Sequence, residues 1–284
     1  MQHRTRWTGG VSLALALLAG LLGGLMPGGA VAKPQRLVSI NLCTDQLLML
    51  LADRSHILSI SYLGADPAGS ALADRAAGIP LNRGTAEEAL ALRPDLVLSG
   101  LNRQHTTNRL IEALGVPVFT LPPAASLDDA LDQIRALGDA IGEPERASAL
   151  AGDIAARLAA LPPSADDSRR PGALVLQPNG YTTGRHTLAN DILVAAGYRN
   201  LAAEHSIAAW GTLSLEAVIL SRPDVLVLDD QRIRRQSLAQ NLLAHPALEG
   251  RQTTIELPTH LWTCPGPALA EAAERLATAR VAGR

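Results

Sequence analysis

Short apolar runs punctuate this chain, and each is followed by a stretch whose apolar residues recur at helical spacing. The runs are residues 36–40 (RLVSI), 57–61 (ILSIS), 95–99 (DLVLS) and 116–120 (VPVFT), then 173–177 (ALVLQ), 224–228 (DVLVL) and 253–257 (TTIEL). They are continuously apolar rather than alternating, which predicts parallel strands covered on both faces by helices. The order therefore predicts an α/β fold built twice: two lobes, each with a mainly parallel sheet flanked by helices. One unit is visibly repeated. "LALRPDLVL" (Leu90 to Leu98) returns as "LSRPDVLVL" (Leu220 to Leu228), and aligning Pro94 with Pro223 puts Asp95 over Asp224 and Glu87 over Glu216. An internal repeat of this kind points to two similar halves.

Between the halves lies "PERASALAGDIAARLAAL". Pro144 suits a first helical turn, where its missing N–H has no partner to lose. Ala147, Leu150, Ala151, Ile154, Leu158 and Leu161 follow at spacings of three and four, one apolar stripe. Pro162 and Pro163 end it, and "SADDSRRPG" is a polar linker. The pattern predicts one long helix, roughly 27 Å, that joins the lobes as a strut. The expected division is a leader over 1–32, an N-terminal lobe over 33–143, the interlobe helix and linker over 144–165, and a C-terminal lobe over 166–284.

The leader changes the setting. "MQHRTRW" is basic, "VSLALALLAGLLGGL" is apolar but short for a membrane span, and "AVA" offers small residues for cleavage before Lys33. That is the layout of a secretory signal peptide, so the mature chain is expected in the periplasm. No cysteine follows the apolar run to carry a lipid. The remaining chain is weakly acidic, which removes the electrostatic case for nucleic acid. Its one lysine is Lys33. A P-loop lysine and a catalytic lysine deeper in the chain are thereby excluded, and the ATPase of any system it serves is another protein.

Aromatic residues are only 2% of the chain, so their placement is informative. Ligands bind outside the carboxyl ends of strands in open parallel sheets. Tyr62, Tyr181 and Trp262 each follow a predicted strand, and Trp210 precedes the helix that carries Glu216. These four are expected to form a platform around one cleft, whereas Phe119 and Tyr198 fit the core. The same strand ends carry Asn41, Cys43, Asn102, Arg103, Asn179, Arg185, His186, Asp229 and His260. Flat rings with a few donors and positive charges suit a large, amphipathic metal chelate.

Cys43 and Cys264 are the two cysteines, one in each lobe. In an oxidising compartment a pair is usually a disulfide, and this one would tie the lobes across the cleft. Two thiols facing a bound metal complex is a second reading. A nucleophilic thiol with His260 as its base is a third. The pattern contains no G-x-S-x-G, H-E-x-x-H or C-x-x-C, and no catalytic residue, resident metal or cofactor is assigned.

With "RLVSINLCTDQLL", "EEALALRPDLVL", "WGTLSLEAVILSRPDVLVL" and "THLWTCPGP" in view, the mature chain resembles the periplasmic binding proteins of ABC importers for cobalamin, ferric siderophores and haem. It is most similar to the cobalamin-binding branch. The resemblance implies that Glu87 and Glu216 dock, one from each lobe, into arginine pockets of a dimeric inner-membrane permease that works with its own ATPase. It places ligand contacts at Tyr62, Tyr181, Trp210 and the His260 to Cys264 loop, on a monomer. Leu81 stands where the cobalamin protein has a tryptophan, and Cys264 stands near where it offers an arginine. The chelate is thus left open between cobalamin, a ferric siderophore and haem. The competing expectation is a secreted metal- or thiol-dependent enzyme using Cys43, Cys264 and His260.

Overall fold

The computed structural model describes residues 33–101, 105–164, 166, 169–228, 243, 245–248 and 252–282. The leader over 1–32 and the candidate residues Asn102, Arg103 and Asp229 lie outside the described residues.

The first half runs β1 (Leu37–Ser39), α1 (Leu42–Leu51), β2 (Ile57–Ser61), β3 (Leu81–Asn82), α2 (Ala86–Ala91), β4 (Leu96–Gly100), α3 (His105–Ala113) and β5 (Val118–Leu121). Its five strands form one sheet in the order β3-β2-β1-β4-β5, and every pairing is parallel. Two helices follow, α4 (Leu127–Ile141) and α5 (Pro144–Ala159). The second half runs β6 (Gly172–Leu176), β7 (Tyr181–Thr183), α6 (Leu188–Ala195), β8 (Arg199–Asn200), α7 (Leu201–Glu204), β9 (Trp210–Thr212), α8 (Leu215–Ser221), β10 (Val225–Leu228), β11 (Thr253–Glu256) and α9 (Ala268–Ala282). Its sheet has the order β11-β10-β6-β8, again all parallel. All seven predicted strands are present, 57–61 with the expected bounds and the rest with ends moved by one or two residues. The strands absent from the prediction are the two-residue edges β3 and β8 and the antiparallel ribbon β7–β9. Each is too short to show a period.

The repeated sequence unit is a repeated structural unit. Thr85 caps α2 by accepting from the Glu88 amide, and Ser214 caps α8 by accepting from the Ala217 amide. Such caps satisfy N–H groups that the first turn leaves unpaired. Arg93 and Arg222 then end their helices in the left-handed region, at φ 48° and 46°. In both halves the strand after the Arg-Pro-Asp sequence lies in the interior of its sheet.

The predicted strut is α5, with Pro144 in its first turn. It spans 16 residues, roughly 24 Å. Its apolar stripe is buried at Ala147, Ala151 and Ile154, within the core of the first half. Leu158 packs against the cores of both halves and Leu161 against that of the second. Helix α4 lies against it through Gly138, where a Cβ would sit 2.2 Å from the Ala147 Cβ. No other residue fits that crossing without displacing the helices. Arg157 holds α5 to α9 with two charge-assisted hydrogen bonds to Glu274, at 2.9 and 2.8 Å. Leu127 at the start of α4 also donates its N–H to Asp191 of α6 at 2.9 Å.

Candidate functional site

Cys43, in the first turn of α1, is joined to Cys264, in the loop before α9, by a disulfide with a Cα–Cα distance of 5.0 Å. Cys43 follows β1 and Cys264 follows β11. The bond therefore sets the carboxyl ends of the two sheets against each other, so that the strand-end loops of both lobes share one gap. Neither sulfur remains a free thiol, which rules out the nucleophile and thiol-ligand readings for this state.

A cavity of about 150 Å³ opens in that gap. Pro123 and Ala124, after β5, line it from the first lobe. Gln177, Thr183, Trp210, Thr259, Trp262 and Thr263 line it from the second. Two larger concavities, about 890 and 560 Å³, share Asp224 and Thr253 and so sit at the opposite, amino ends of β10 and β11. Size alone would choose one of those. Strand polarity chooses the gap: among the described residues its cavity is lined from both lobes, whereas the two larger ones are lined from the second lobe.

The predicted rings divide into two sets. Tyr62 (54% exposed), Tyr181 (39%) and Trp210 (52%) present open faces. Trp262 does not: at 6% exposure it packs in the second-lobe core with Leu261 and Leu269, although it also lines the cavity. The expectation of an open platform at Trp262 is thereby corrected to a wall. The turn at 259–261 folds it inward, since that apolar surface is better buried than solvated. Among the described residues the cavity lining includes Trp210 and Trp262 but neither Tyr62 nor Tyr181.

Tyr181 and Trp210 belong to the ribbon, with Tyr181 opposite Thr212 and Thr183 opposite Trp210. Alternation along each strand puts these four on one face. The ribbon is held to the second sheet by the Thr182 hydroxyl, which donates to the Val175 carbonyl at 2.6 Å. The Asn200 side-chain amide also donates to the Thr183 carbonyl at 2.9 Å. Both rings are thus carried on a fixed element rather than on free loops.

The polar candidates scatter. Asn41 is the N-cap of α1 and accepts from the Cys43 amide at 3.0 Å. Arg185 donates to the Ala203 carbonyl at 3.2 Å. His260 faces a separate cavity of about 250 Å³ on the other side of the 259–264 turn, with Gln46, Leu50, Arg157 and Cys264. Glu87 and Glu216 are exposed and each stands second in its helix, so they are equivalent in place. The backbone N–H of Glu216 itself and, to a lesser degree, the Ser214 hydroxyl hold the Glu216 carboxyl below its ordinary pKa.

Sequence reasoning missed Asp45. Its residue is fully buried, and burial pushes its carboxyl up to about 6 against the opposing effect of donors from Ser39, Ser61 and Gly64. The Ser61 amide donates to Oδ1 at 3.0 Å and the Ser61 hydroxyl to Oδ2. One acid in a mainly apolar helix, "LCTDQLLMLL", was the available signal.

Residues 37–256 match the family model described as "Periplasmic binding protein". The chain belongs to the periplasmic binding protein family. This periplasmic binding protein is 28% identical to the cobalamin-binding protein of Halobacterium salinarum over 259 residues, which are 87% of this chain and 70% of that one. Among solved structures, the periplasmic haem-binding protein from Roseiflexus sp. RS-1 superposes with a TM-score of 0.71 at 26% identity. That match covers 87% of this chain and 97% of the other. A periplasmic haem-binding protein from Pseudomonas aeruginosa does so with a TM-score of 0.64 at 27% identity, covering 87% and 92%. The two-lobed α/β architecture is that of these neighbours.

Proposed function

We propose that this protein captures a metal chelate, of the cobalamin, haem or ferric siderophore class, in the gap between its lobes and hands it to an ABC permease. The observation that carries the reading is the disulfide-fixed apposition of the two sheets' carboxyl ends. Exposed rings, Tyr62 from one lobe and Tyr181 and Trp210 from the other, stand at those ends. The small cavity is the floor of the site. Pockets that enclose a drug-sized ligand hold about 300–1,000 Å³, so a chelate rests mainly on the rings above it. Names borne by the relatives support the same cargo. Residues 1–32 act as the secretory leader in this reading, the mature chain works outside the cytoplasm as a monomer, and the lobes divide at the α5 strut.

Glu87 and Glu216 are the docking contacts. Two equivalent helices, one per lobe, present one carboxylate each, which suits a partner with a two-fold axis. Tryptophan fluorescence titrated with cyanocobalamin, haemin and ferrichrome tests the cargo. Saturable quenching by one of them, largely lost in Trp210→Ala, is expected. Flat titrations with all three would remove the chelate reading.

A further inference from the structure

Tyr62 is carried by a single short turn, Tyr62–Ala65, at the end of β2, and the turn is fastened from beneath. Asp45 of α1 accepts from the Ser61 amide and hydroxyl immediately before Tyr62, and its carboxyl also receives the Gly64 amide. The fit is close: a Cβ on Gly64 would stand 3.0 Å from both the Asp45 Cβ and Oδ2. Two residues earlier on α1, Cys43 carries the covalent link to the 259–264 turn, which supplies Thr259, Trp262 and Thr263 to the cavity. Cleft segments of both lobes are therefore anchored to the same end of one helix.

We propose that Asp45 is a positioning residue for ligand recognition: by holding the Ser61–Gly64 turn it sets Tyr62 in a fixed place relative to the second lobe's side of the cleft. The proposal rests on the chelate reading for what Tyr62 touches, but not for the clamp itself. A buried carboxyl is costly unless its oxygens are satisfied, and here all the satisfaction found comes from the turn and from Ser39 of β1. The groups that face it are Ser39 from β1, Ser61 from β2 and the Gly64 amide from the turn, none of them charged. Such a site ties the turn's geometry to α1 more tightly than apolar packing would, because hydrogen bonds are directional. Proton linkage has a definite sign. The closed turn raises the Asp45 pKa to about 6 from 3.8, so the closed form binds the proton better than an open, hydrated form. Closure therefore strengthens as pH falls from about 6 to about 4.

Two measurements test this. Amide hydrogen exchange, corrected for intrinsic rates, should show protection at 61–65 lost in Asp45→Ala and largely restored in Asp45→Asn, which keeps an acceptor for the Ser61 amide. It should rise from pH 7 to pH 5 in the parent and stay level in Asp45→Asn. Should Asp45→Ala not fold, Ser61→Ala removes one donor only and should lower protection over the same segment. Unaltered protection in these variants would overturn the clamp. A double-mutant cycle with Tyr62→Ala then asks whether Asp45 acts through that ring. With whichever of cyanocobalamin, haemin or ferrichrome binds the parent, Asp45→Ala should weaken binding by about tenfold, the usual worth of a hydrogen bond to a charged group. It should cost nothing more once Tyr62 is alanine. An undiminished cost in the Tyr62→Ala background would overturn the positioning role. If none of the probes binds the parent, the chelate reading fails, and the exchange measurement still decides for or against the clamp.

Discussion

Asp95 and Asp224 perform the same task in the two lobes. The Asp95 carboxylate accepts from the Gln35 and Arg36 amides at 2.9 and 3.0 Å, and the Asp224 carboxylate accepts from the Gly172 amide at 2.7 Å. Each aspartate thereby pins the start of the strand beside its own, and each also donates its backbone N–H across, to Arg36 and to Gly172. The proline before it stops the helix, and the carboxylate after it registers the sheet. Asp95→Ala and Asp224→Ala should each lower unfolding free energy by about 1–2 kcal/mol. The effects should be additive, since the sites are in different lobes. Urea unfolding of the two single variants and the double variant checks this.

The disulfide closes a loop of 221 residues. A constraint of that length stabilises a fold by about 2–5 kcal/mol where the native geometry is unstrained. Cys43→Ser with Cys264→Ser, or addition of a phosphine reductant, should lower the Tm, and scanning calorimetry measures by how much. Mass spectrometry after alkylation without reductant should find no labelled thiol.

The two tryptophans should separate. Trp262→Ala should destabilise the protein by about 3–5 kcal/mol, as for other buried rings. Trp210, half exposed, should cost little stability as alanine and a large share of ligand quenching. Chemical denaturation and fluorescence titration of each variant distinguish wall from platform.

Glu87→Ala combined with Glu216→Ala should abolish delivery to the permease while leaving ligand affinity unchanged. Uptake by cells, set against equilibrium binding to the purified protein, separates the two steps. Uptake at the parental rate in the double variant would remove the docking assignment.

Asp45 also imposes a pH slope on global stability. Its folded pKa of about 6 lies above the ordinary 3.8, so the folded chain binds the proton more tightly than the unfolded one. Its contribution is complete below about pH 4 and is lost as pH rises through about 6, an effect of at most about 3 kcal/mol. The difference in unfolding free energy between parent and Asp45→Asn should therefore change between pH 4 and pH 7. An unchanged difference would show that the carboxyl titrates normally.

Much of this molecule was legible as local pattern. Apolar runs named the seven main strands, Pro144 and the stripe that starts at Ala147 named helix α5, and the Arg-Pro-Asp repeat named the matching positions of Glu87 and Glu216. These signals survive in sequence because burial on a strand or helix has a fixed period and because caps and prolines act on their immediate neighbours. The β7–β9 ribbon left no such trace. Tyr181 and Trp210 sit in three-residue strands, and the ribbon is held in place by bonds between Thr182 and Val175 and between Asn200 and Thr183.

What the tertiary structure alone decided were the matters of which distant groups meet. That Cys43 reaches Cys264, that His260 turns to a second cavity, that Trp262 is enclosed while Trp210 stays open, and that Asp45 lies under the Tyr62 turn all depend on how the lobes pack. Composition and spacing carry the chemistry of each residue and the element it belongs to. Contacts between segments as far apart as α1 and the loop before α9 arise only when the carboxyl ends of the two sheets are set against each other, and nothing local records them.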